Sequence, residues 1–467
     1  MDQTKLDALL EGPVAATLAR LAWPIFVVLA LQTAVGIAET YFVSTLGTDA
    51  VAGVTLVLPI LMLMVMMSNG GIGGGVASAV ARALGAGKRA EAEALVVHAL
   101  LIGVGFGTGF SALIWLGGPA IFRSMGGRDV AFEDALRYAN FAFAAAIPSW
   151  IANLLAAALR GAGNVRTPAL VGAGTSLAGL VASPLLIFGW GIVPPLGVAG
   201  AGLAVAGINT AAALVLMRYM SRNTELRLRP CKLEARLFGD ILRVGLLSAF
   251  GTVVANLTVV LATGYAGRYG AAGIAGYGLA SRIDYLLIPL FFALGSATLT
   301  MVGTSVGAQR MARARAVAWA GVSMSASLAL LIGGLAAALP SSWMHLFSKD
   351  PAVILVGTEY LRRVGPTYVL FGAGMATYFA SQGMGRMAWP VAAGLARVAA
   401  VGVGGLAWTT FGGDIAGLFW IIAAGYIAFG CINLYALIGS RGWTERTLSR
   451  RAGNRVSLDP AATPSRI

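Results

Sequence analysis

Residues 21–47 read LAWPIFVVLALQTAVGIAETYFVSTLG, an apolar run long enough to cross a bilayer as a helix, with Glu39 as its one charged side chain. An acid at the centre of a spanning helix costs roughly 2.5–3.5 kcal/mol, and a cavity, a cation or a proton usually offsets that cost. The stretch predicts a membrane helix in which Glu39 titrates or binds an ion. Two other interpretations stay open: a structural acid hydrogen-bonded to a neighbouring helix, and an acid solvated near the outer interface.

The composition of the whole chain fits the same class. Of 467 residues, 58% are hydrophobic and 11% charged, which leaves too little polar surface to cover a water-soluble globule. Twelve long apolar runs predict an all-α polytopic membrane protein with twelve transmembrane helices and both termini on one side. The runs lie at 18–43, 51–81, 94–118, 135–158, 169–189, 196–219, 243–266, 274–303, 316–339, 360–381, 390–411 and 415–438.

The net charge of +14 follows the membrane topology. With loops assigned alternately, 24 of the 33 lysines and arginines lie on the side of the termini. This positive-inside pattern predicts cytoplasmic termini and a multi-pass protein of the inner (plasma) membrane. The densest basic stretch joins the two halves of the chain at 218–242 and contains acids as well. We interpret it as a solvated linker and expect no nucleic-acid partner.

The two halves of the chain form an internal repeat. LGAGKRAEAEA at 84–94 matches VGAQRMARARA at 306–316, and RGAGNVRTP at 160–168 matches QGMGRMAWP at 382–390, both at an offset of 222 residues. Six spans per copy give both copies the same orientation, which predicts two six-helix lobes around a substrate site. The predicted domains are 1–217, the linker 218–242, 243–440 and a disordered cytoplasmic tail at 441–467.

The repeat shows which acids belong to one lobe only. Glu39 corresponds to Ala262, and Asp284 corresponds to Leu61 or Met62, depending on where one residue of slippage falls. A structural need of the fold would recur in both lobes, so these acids favour a task specific to one lobe. Asp284 is either an interhelical structural contact or a second coupling or substrate-charge site.

Arg282 lies two residues from Asp284, and residues two apart do not face each other on a helix. We therefore expect the two side chains to contact different partners. The glycine-rich NGGIGGG at 69–75 lies inside an apolar run, where it predicts close helix packing or a hinge.

Several segments resemble the multidrug and toxic compound extrusion (MATE) transporters. Residues 23–47 resemble the family's first span, with ETYFVS where many members have an Asp-Thr-x-Met-Val-Gly motif. VARALGAGK at 80–88, LRGAGNVRTP at 159–168 and PLLIFGWGIVPPLGVAGAGLA at 184–204 resemble family segments in the same order. The resemblance covers all twelve spans and implies that Glu39 is the ion-coupling residue, with Asn153 on span four as a weaker candidate neighbour.

The chain departs from the family at other coupling positions. Where members with an amino-lobe site carry Asn and Asp on span five and Thr on span six, this chain has Gly179, Ser183 and Val205. Where members with carboxy-lobe acids carry them on spans seven and ten, it has Ala255 beside Asn256, and Phe371. The resemblance therefore implies coupling through Glu39 without the rest of these networks.

These observations predict a secondary-active antiporter that exports cationic or amphipathic organic compounds while H⁺ or Na⁺ flows inward. Because Na⁺ needs several oxygen ligands, one carboxylate favours H⁺. We expect a monomer in the lipid bilayer, with no cofactor and no metal site. A flippase for lipid-linked or polysaccharide precursors shares the two-lobed architecture and stays open. A membrane-embedded enzyme would need a convergent nucleophile, base or metal cluster, and none is visible.

Overall fold

The structure is a computed structural model in which residues 3–191, 194–222 and 226–439 are described. Within these ranges it is helical, without a strand. Two short helices, Gln3–Leu10 and Pro340–His345, accompany twelve long segments, numbered here as spans 1 to 12. These are Val14–Ser44, Thr48–Gly85, Arg89–Ser124, Asp129–Ala144 with Ala146–Gly161, Arg166–Phe188, Val198–Arg222, Ala235–Gly267, Gly270–Gly307, Met311–Ala338, Pro351–Val364 with Tyr368–Met384, Ala388–Thr410 and Ile415–Gly439.

The predicted fold class is confirmed. Within the described ranges, ten helices are long and apolar enough to cross a membrane, and the two helices of span 4, which meet at a bend of 49°, raise the number to eleven. Span 10 is the twelfth segment, and the 3₁₀ turn Gly365–Thr367 divides it. Pro366 accounts for this division, because proline lacks the N–H of a regular helix and its ring clashes with the preceding turn.

Each lobe has its own apolar core. Spans 2 to 6 supply most of one core, around the fully buried Trp150 and Phe143, and a few residues of spans 1, 7, 8 and 10 complete it. In the other lobe, aromatic side chains dominate the core, with Tyr360 and Phe419 in an edge-to-face contact. A third cluster joins the start of span 1 to spans 8, 9 and 10. The amino-terminal span therefore packs against the opposite lobe.

The lobes meet through contacts that the internal repeat duplicates. Ser78 on span 2 donates a hydrogen bond to the main-chain oxygen of Gln382, and its repeat partner Thr300 on span 8 donates one to the main-chain oxygen of Arg160 at 3.0 Å. Both bonds run from one lobe to the other. The lobe interface therefore obeys the same pseudo-twofold symmetry as the sequence.

Two glycines make the close approach of spans 2 and 8 possible. A Cβ atom at Gly85 would overlap the carbonyl oxygen of Thr304, and a Cβ atom at Gly307 would overlap that of Arg82. Gly85 and Gly307 are repeat partners, as are Arg82 and Thr304. The tight contact lies where these spans lead into the loops 86–88 and 308–310.

The glycine-rich segment of span 2 packs closely, as predicted. A Cβ atom at Gly74 would overlap the side chain of Gln382, and one at Gly75 would lie 2.5 Å from the main-chain oxygen of Ile241 on span 7. The helix also widens into a π-helical turn at Met67–Gly71. Close helix packing and the π-helical turn thus occur in the same part of span 2.

The connection between the lobes docks onto span 3. The helix of span 6 extends to Arg222 and that of span 7 begins at Ala235, so both helices reach into the predicted linker 218–242. His98 accepts a hydrogen bond from the main-chain N–H of Glu234 at 2.9 Å, while its other ring nitrogen lies 2.8 Å from the oxygen of Ala94. The linker is thus anchored to the amino lobe. The tail predicted at 441–467 lies outside the described residues.

Candidate functional site

Glu39 lies on span 1 and faces span 5. A Cβ atom placed at Gly179 would lie 3.8 Å from Oε1 of Glu39 and 3.3 Å from the side chain of Ile208 on span 6. Within the described ranges the carboxylate makes no hydrogen bond and no ion pair, and it is only partly buried. The glycine leaves space beside the carboxylate and supplies no ligand from a side chain.

The surroundings of Glu39 fit the departures from the family's amino-lobe network that the sequence shows. Position 179 does lie next to Glu39, but as a glycine it contributes no oxygen from a side chain. On span 6, the side-chain amide of Asn209 donates to the main-chain oxygen of Val205 at 2.9 Å, within its own helix. Ser183 is buried. Glu39 remains the one acid that the resemblance carries over to this lobe.

A cavity of about 130 Å³ lies in the same lobe as Glu39. It opens between spans 1, 4, 5 and 6, and Phe292 of span 8 forms part of its wall. Its polar lining side chains are Gln32, Asn69, Asn153, Arg160, Thr175 and Asn209. The cavity thus combines one cation with several amides, and it belongs to the amino lobe apart from that phenylalanine.

Asn153 contributes to this cavity and not to the surroundings of Glu39. Its side-chain amide donates to Oγ of Ser68 at 2.8 Å. Ser68 and Asn69 lie in the π-helical turn of span 2, and such turns occur frequently at functional sites. The turn directs two consecutive polar side chains toward span 4.

Arg160 is the functional candidate that sequence reasoning missed. The predicted span 4 ends at residue 158, which leaves Arg160 in the loop that follows. In the structure, the helix of span 4 continues to Gly161 and Arg160 is only 9% exposed. Its Nη2 donates to Oδ1 of Asn69 at 2.7 Å, and Cζ lies 5.9 Å from the ring centroid of Phe292. The repeat contained a signal, because the matching position is the uncharged Gln382.

Asp284 lies in the core of the other lobe. Its Oδ2 accepts a hydrogen bond from the hydroxyl of Tyr426 at 3.0 Å, whereas Oδ1 is buried without a hydrogen-bond donor in the described part of the chain. The guanidinium of Arg397 lies 4.3 Å from the ring centroid of Tyr426 and acts electrostatically on the carboxylate. Sequence reasoning did not connect Arg397 with Asp284, because their spans are far apart along the chain.

The remaining candidates are dispersed. Arg282 lies with its guanidinium 5.5 Å from the ring centroid of Phe347, away from Tyr426, so it and Asp284 do contact different partners. The Asn256 amide donates to the main-chain oxygen of Thr252 at 2.9 Å and lies 3.7 Å from the sulfur of Met66, across the lobe interface. No group of three or more potential metal ligands occurs among the residues that the structure describes.

Known proteins resemble this chain over most of its length. The MatE family model matches residues 24–185 and 248–406. The probable multidrug resistance protein YoeA of Bacillus subtilis is 25% identical over 356 residues, which cover 74% of this chain and 76% of that protein. A FAD transporter of Shewanella oneidensis is 22% identical over 352 residues, covering 74% of this chain and 77% of that protein.

Among solved structures, the crystal structure of MATE in the bent conformation superposes with a TM-score of 0.87. It shares 23% sequence identity, and the alignment covers 96% of this chain and 99% of that one. At this identity the likeness concerns the fold.

Proposed function

This chain belongs to the MatE family, and we propose that it is a secondary-active antiporter that exports cationic or amphipathic organic compounds in exchange for protons. The family and the apolar helices make it a multi-pass membrane transporter. The name of YoeA supports multidrug efflux, and that of the FAD transporter shows that a relative carries a phosphorylated compound. The comparisons give no support to the alternative of a lipid-precursor flippase.

One observation carries the proton part of this proposal. The carboxylate of Glu39 lies beside Gly179 and has no hydrogen-bond or ion-pair partner in the described chain. A Na⁺ ion needs several oxygen ligands around it, whereas a proton needs only the carboxylate. Asp284 does not share a cation with Glu39 in this arrangement, because it lies in the other lobe beside Tyr426.

In the proposed cycle, ionised Glu39 favours binding of the compound, and protonation from the outer side weakens binding and favours release. Each charge that moves inward is driven by ~2.3 kcal/mol per 100 mV of membrane potential. The positive-inside pattern supports cytoplasmic termini in the inner membrane, and in that orientation the tight contact of spans 2 and 8 faces the cytoplasm. We propose that the protein acts as a monomer whose lobes rock around the central cleft.

Proteoliposomes test the coupling ion directly. Purified protein is reconstituted, and transport of the fluorescent cation rhodamine 6G is measured under a pH gradient without Na⁺, and then under a Na⁺ gradient at uniform pH. We expect transport in the first condition. Transport in the second condition alone would contradict proton coupling, and the absence of transport in both would contradict the antiporter.

A further inference from the structure

A short segment precedes the first span of each lobe, and each segment docks on the opposite lobe. At the amino terminus, the helix Gln3–Leu10 ends against span 9 of the carboxy lobe. Arg313 of that span donates hydrogen bonds to the main-chain oxygen of Leu9, at 3.3 Å, and to that of Gly12. The last carbonyls of a helix have no partner within it, so Arg313 supplies donors that this helix end lacks.

The same segment also contacts the amino lobe. Leu9 is only 4% exposed, and a Cβ atom at Gly163, in the loop after span 4, would lie 3.1 Å from its Cδ1. Leu9 belongs to the apolar cluster that contains Val165 of that loop and Met311 of span 9. The amino-terminal segment therefore lies between the two lobes and packs against both.

An ion pair adds to the contact with the carboxy lobe. Glu11 lies 3.1 Å from Arg310, in the loop 308–310. Both side chains are largely exposed, and exposed ion pairs stabilise proteins weakly, so Arg313 and Leu9 hold the segment more firmly than this pair does. The loop directly follows Gly307, which places the segment at the end of the molecule where spans 2 and 8 touch.

The linker between the lobes makes the corresponding contacts on span 3. Arg236 forms an ion pair with Glu91 at 3.1 Å, and the N–H of Glu234 anchors the linker to the same span. At the repeat offset of 222 residues, Glu91 corresponds to Arg313 and Glu234 corresponds to Gly12. The two segments thus dock at equivalent positions with the charges exchanged. A contact that recurs in both halves indicates a need of the fold at this end.

We propose that residues 6–12, here called the amino-terminal latch, hold the two lobes together at this end and release before the end opens. The latch is apolar where it meets the amino lobe at Gly163 and polar where it meets the carboxy lobe at Arg313. Separation of the lobes has to break one of these two contacts. This control of opening goes beyond the proposed function, because it does not depend on which compound or ion is carried.

Spin labels measure the separation of the lobes. Ala90 and Ala312 are repeat partners at the starts of spans 3 and 9, and both are exposed. Cysteines at these two positions, in a protein without Cys231 and Cys431, carry the labels. The distance distribution is measured in nanodiscs by double electron–electron resonance. No substrate and no ion gradient is applied, so the result is independent of the transport experiment.

A pair of arginine variants tests the polar contact. Arg313→Gln removes the charged donor of the latch, whereas Arg315→Gln removes an exposed arginine two residues further along the same helix and is the control. We expect the ratio of the longer to the shorter distance to rise at least about tenfold in Arg313→Gln, as for the loss of a hydrogen bond to a charged group. Equal distributions in the two variants would overturn the inference.

A second pair leaves Arg313 in place, in case its variant does not fold. Leu9→Ser removes the apolar contact at Gly163, and Ala8→Ser changes the exposed neighbour as a control. Hydrogen exchange of the main-chain amides 6–12 shows whether the latch has detached, because so short a helix is not stable alone. We expect faster exchange together with the longer distance in Leu9→Ser. A detached latch with an unchanged distance would overturn the inference, and so would unchanged exchange in both Leu9→Ser and Arg313→Gln.

Discussion

Glu39 and Arg160 carry opposite charges in one lobe, and both lack an ion-pair partner within the described ranges. They differ in what surrounds them. Glu39 lies beside Gly179, which offers no side-chain ligand, whereas Arg160 donates to the amide oxygen of Asn69 and lies over the ring of Phe292. A proton is enough to satisfy the isolated carboxylate, whereas the guanidinium already has partners within the protein.

Replacement of Glu39 tests the coupling role. Glu39→Gln removes the titratable charge and keeps nearly the same shape, so we expect rhodamine 6G transport driven by a pH gradient to fall to the level of liposomes without protein. Glu39→Asp keeps the charge on a shorter side chain and should retain part of the activity. Protein amount and gel-filtration profile are matched between variants. Full activity of the glutamine variant would remove Glu39 from the mechanism.

Asp284 is expected to act mainly on stability. Asp284→Asn weakens the hydrogen bond from Tyr426 and removes the negative charge near Arg397, and we expect a loss of about 1–3 kcal/mol in the free energy of unfolding. Tyr426→Phe removes the same hydrogen bond and leaves the carboxylate buried without its donor, so it should cost at least as much. Thermal unfolding of the purified variants measures both effects.

The same variant separates the two interpretations of Asp284. If the acid is structural, Asp284→Asn protein that remains folded should still transport rhodamine 6G under a pH gradient. Unchanged stability together with lost coupling would contradict this and assign a coupling role to Asp284.

At the scale of single helices, hydropathy predicts where each span lies but not how it bends. The apolar run 18–43 lies inside Val14–Ser44, and the run 415–438 almost equals Ile415–Gly439. The π-helical turn at Met67–Gly71 is not visible in a hydropathy pattern. The 49° bend of span 4 is not visible there either, but Pro148 accounts for it, because it lacks an N–H and its ring clashes with the carbonyl of Ala144.

The sequence also identifies only part of the candidate site. A lone acid such as Glu39 stands out in an apolar run, so the sequence alone identifies it. Arg160 does not stand out, because it lies beside a polar loop and its burial results from one further helical turn packed under span 8. Only the comparison with Gln382 in the repeat marks its charge as unusual.

At the scale of the molecule, the lobes are held together at one end of spans 2 and 8, where Gly85 and Gly307 allow helix backbones to touch. In the proposed cycle, rocking of the lobes breaks this contact and forms it again. The contact therefore influences which side of the membrane the cleft faces.

Alanine substitutions at these glycines test that influence. Gly85→Ala and Gly307→Ala each place a methyl group against a carbonyl oxygen of the other lobe, so we expect the contact to open more often. Gly105→Ala on span 3 is the control, because its Cβ atom meets nothing within 4 Å. Ser305 is fully buried near the contact, and a cysteine at this position reports opening through its reaction with a thiol reagent.

The measurement uses a background without Cys231 and Cys431, the two native cysteines. We expect several-fold faster labelling in the Gly85→Ala and Gly307→Ala variants than in the Gly105→Ala control. Equal labelling rates would show that the two glycines do not control the closure of this end.

The hydrogen bonds from Ser78 and Thr300 end on main-chain oxygens, and this choice of acceptor has a consequence for how the molecule diversifies. A chain made of two similar halves can change one half only if the interface between the halves tolerates the change. Here the bonds end on the main-chain oxygens at 160 and 382, which every amino acid supplies, so a change of side chain at either position leaves both bonds in place. One half can therefore carry an arginine bound to Asn69 while the other carries a glutamine bound to Gly70 and Ser248, and the interface between the halves stays the same.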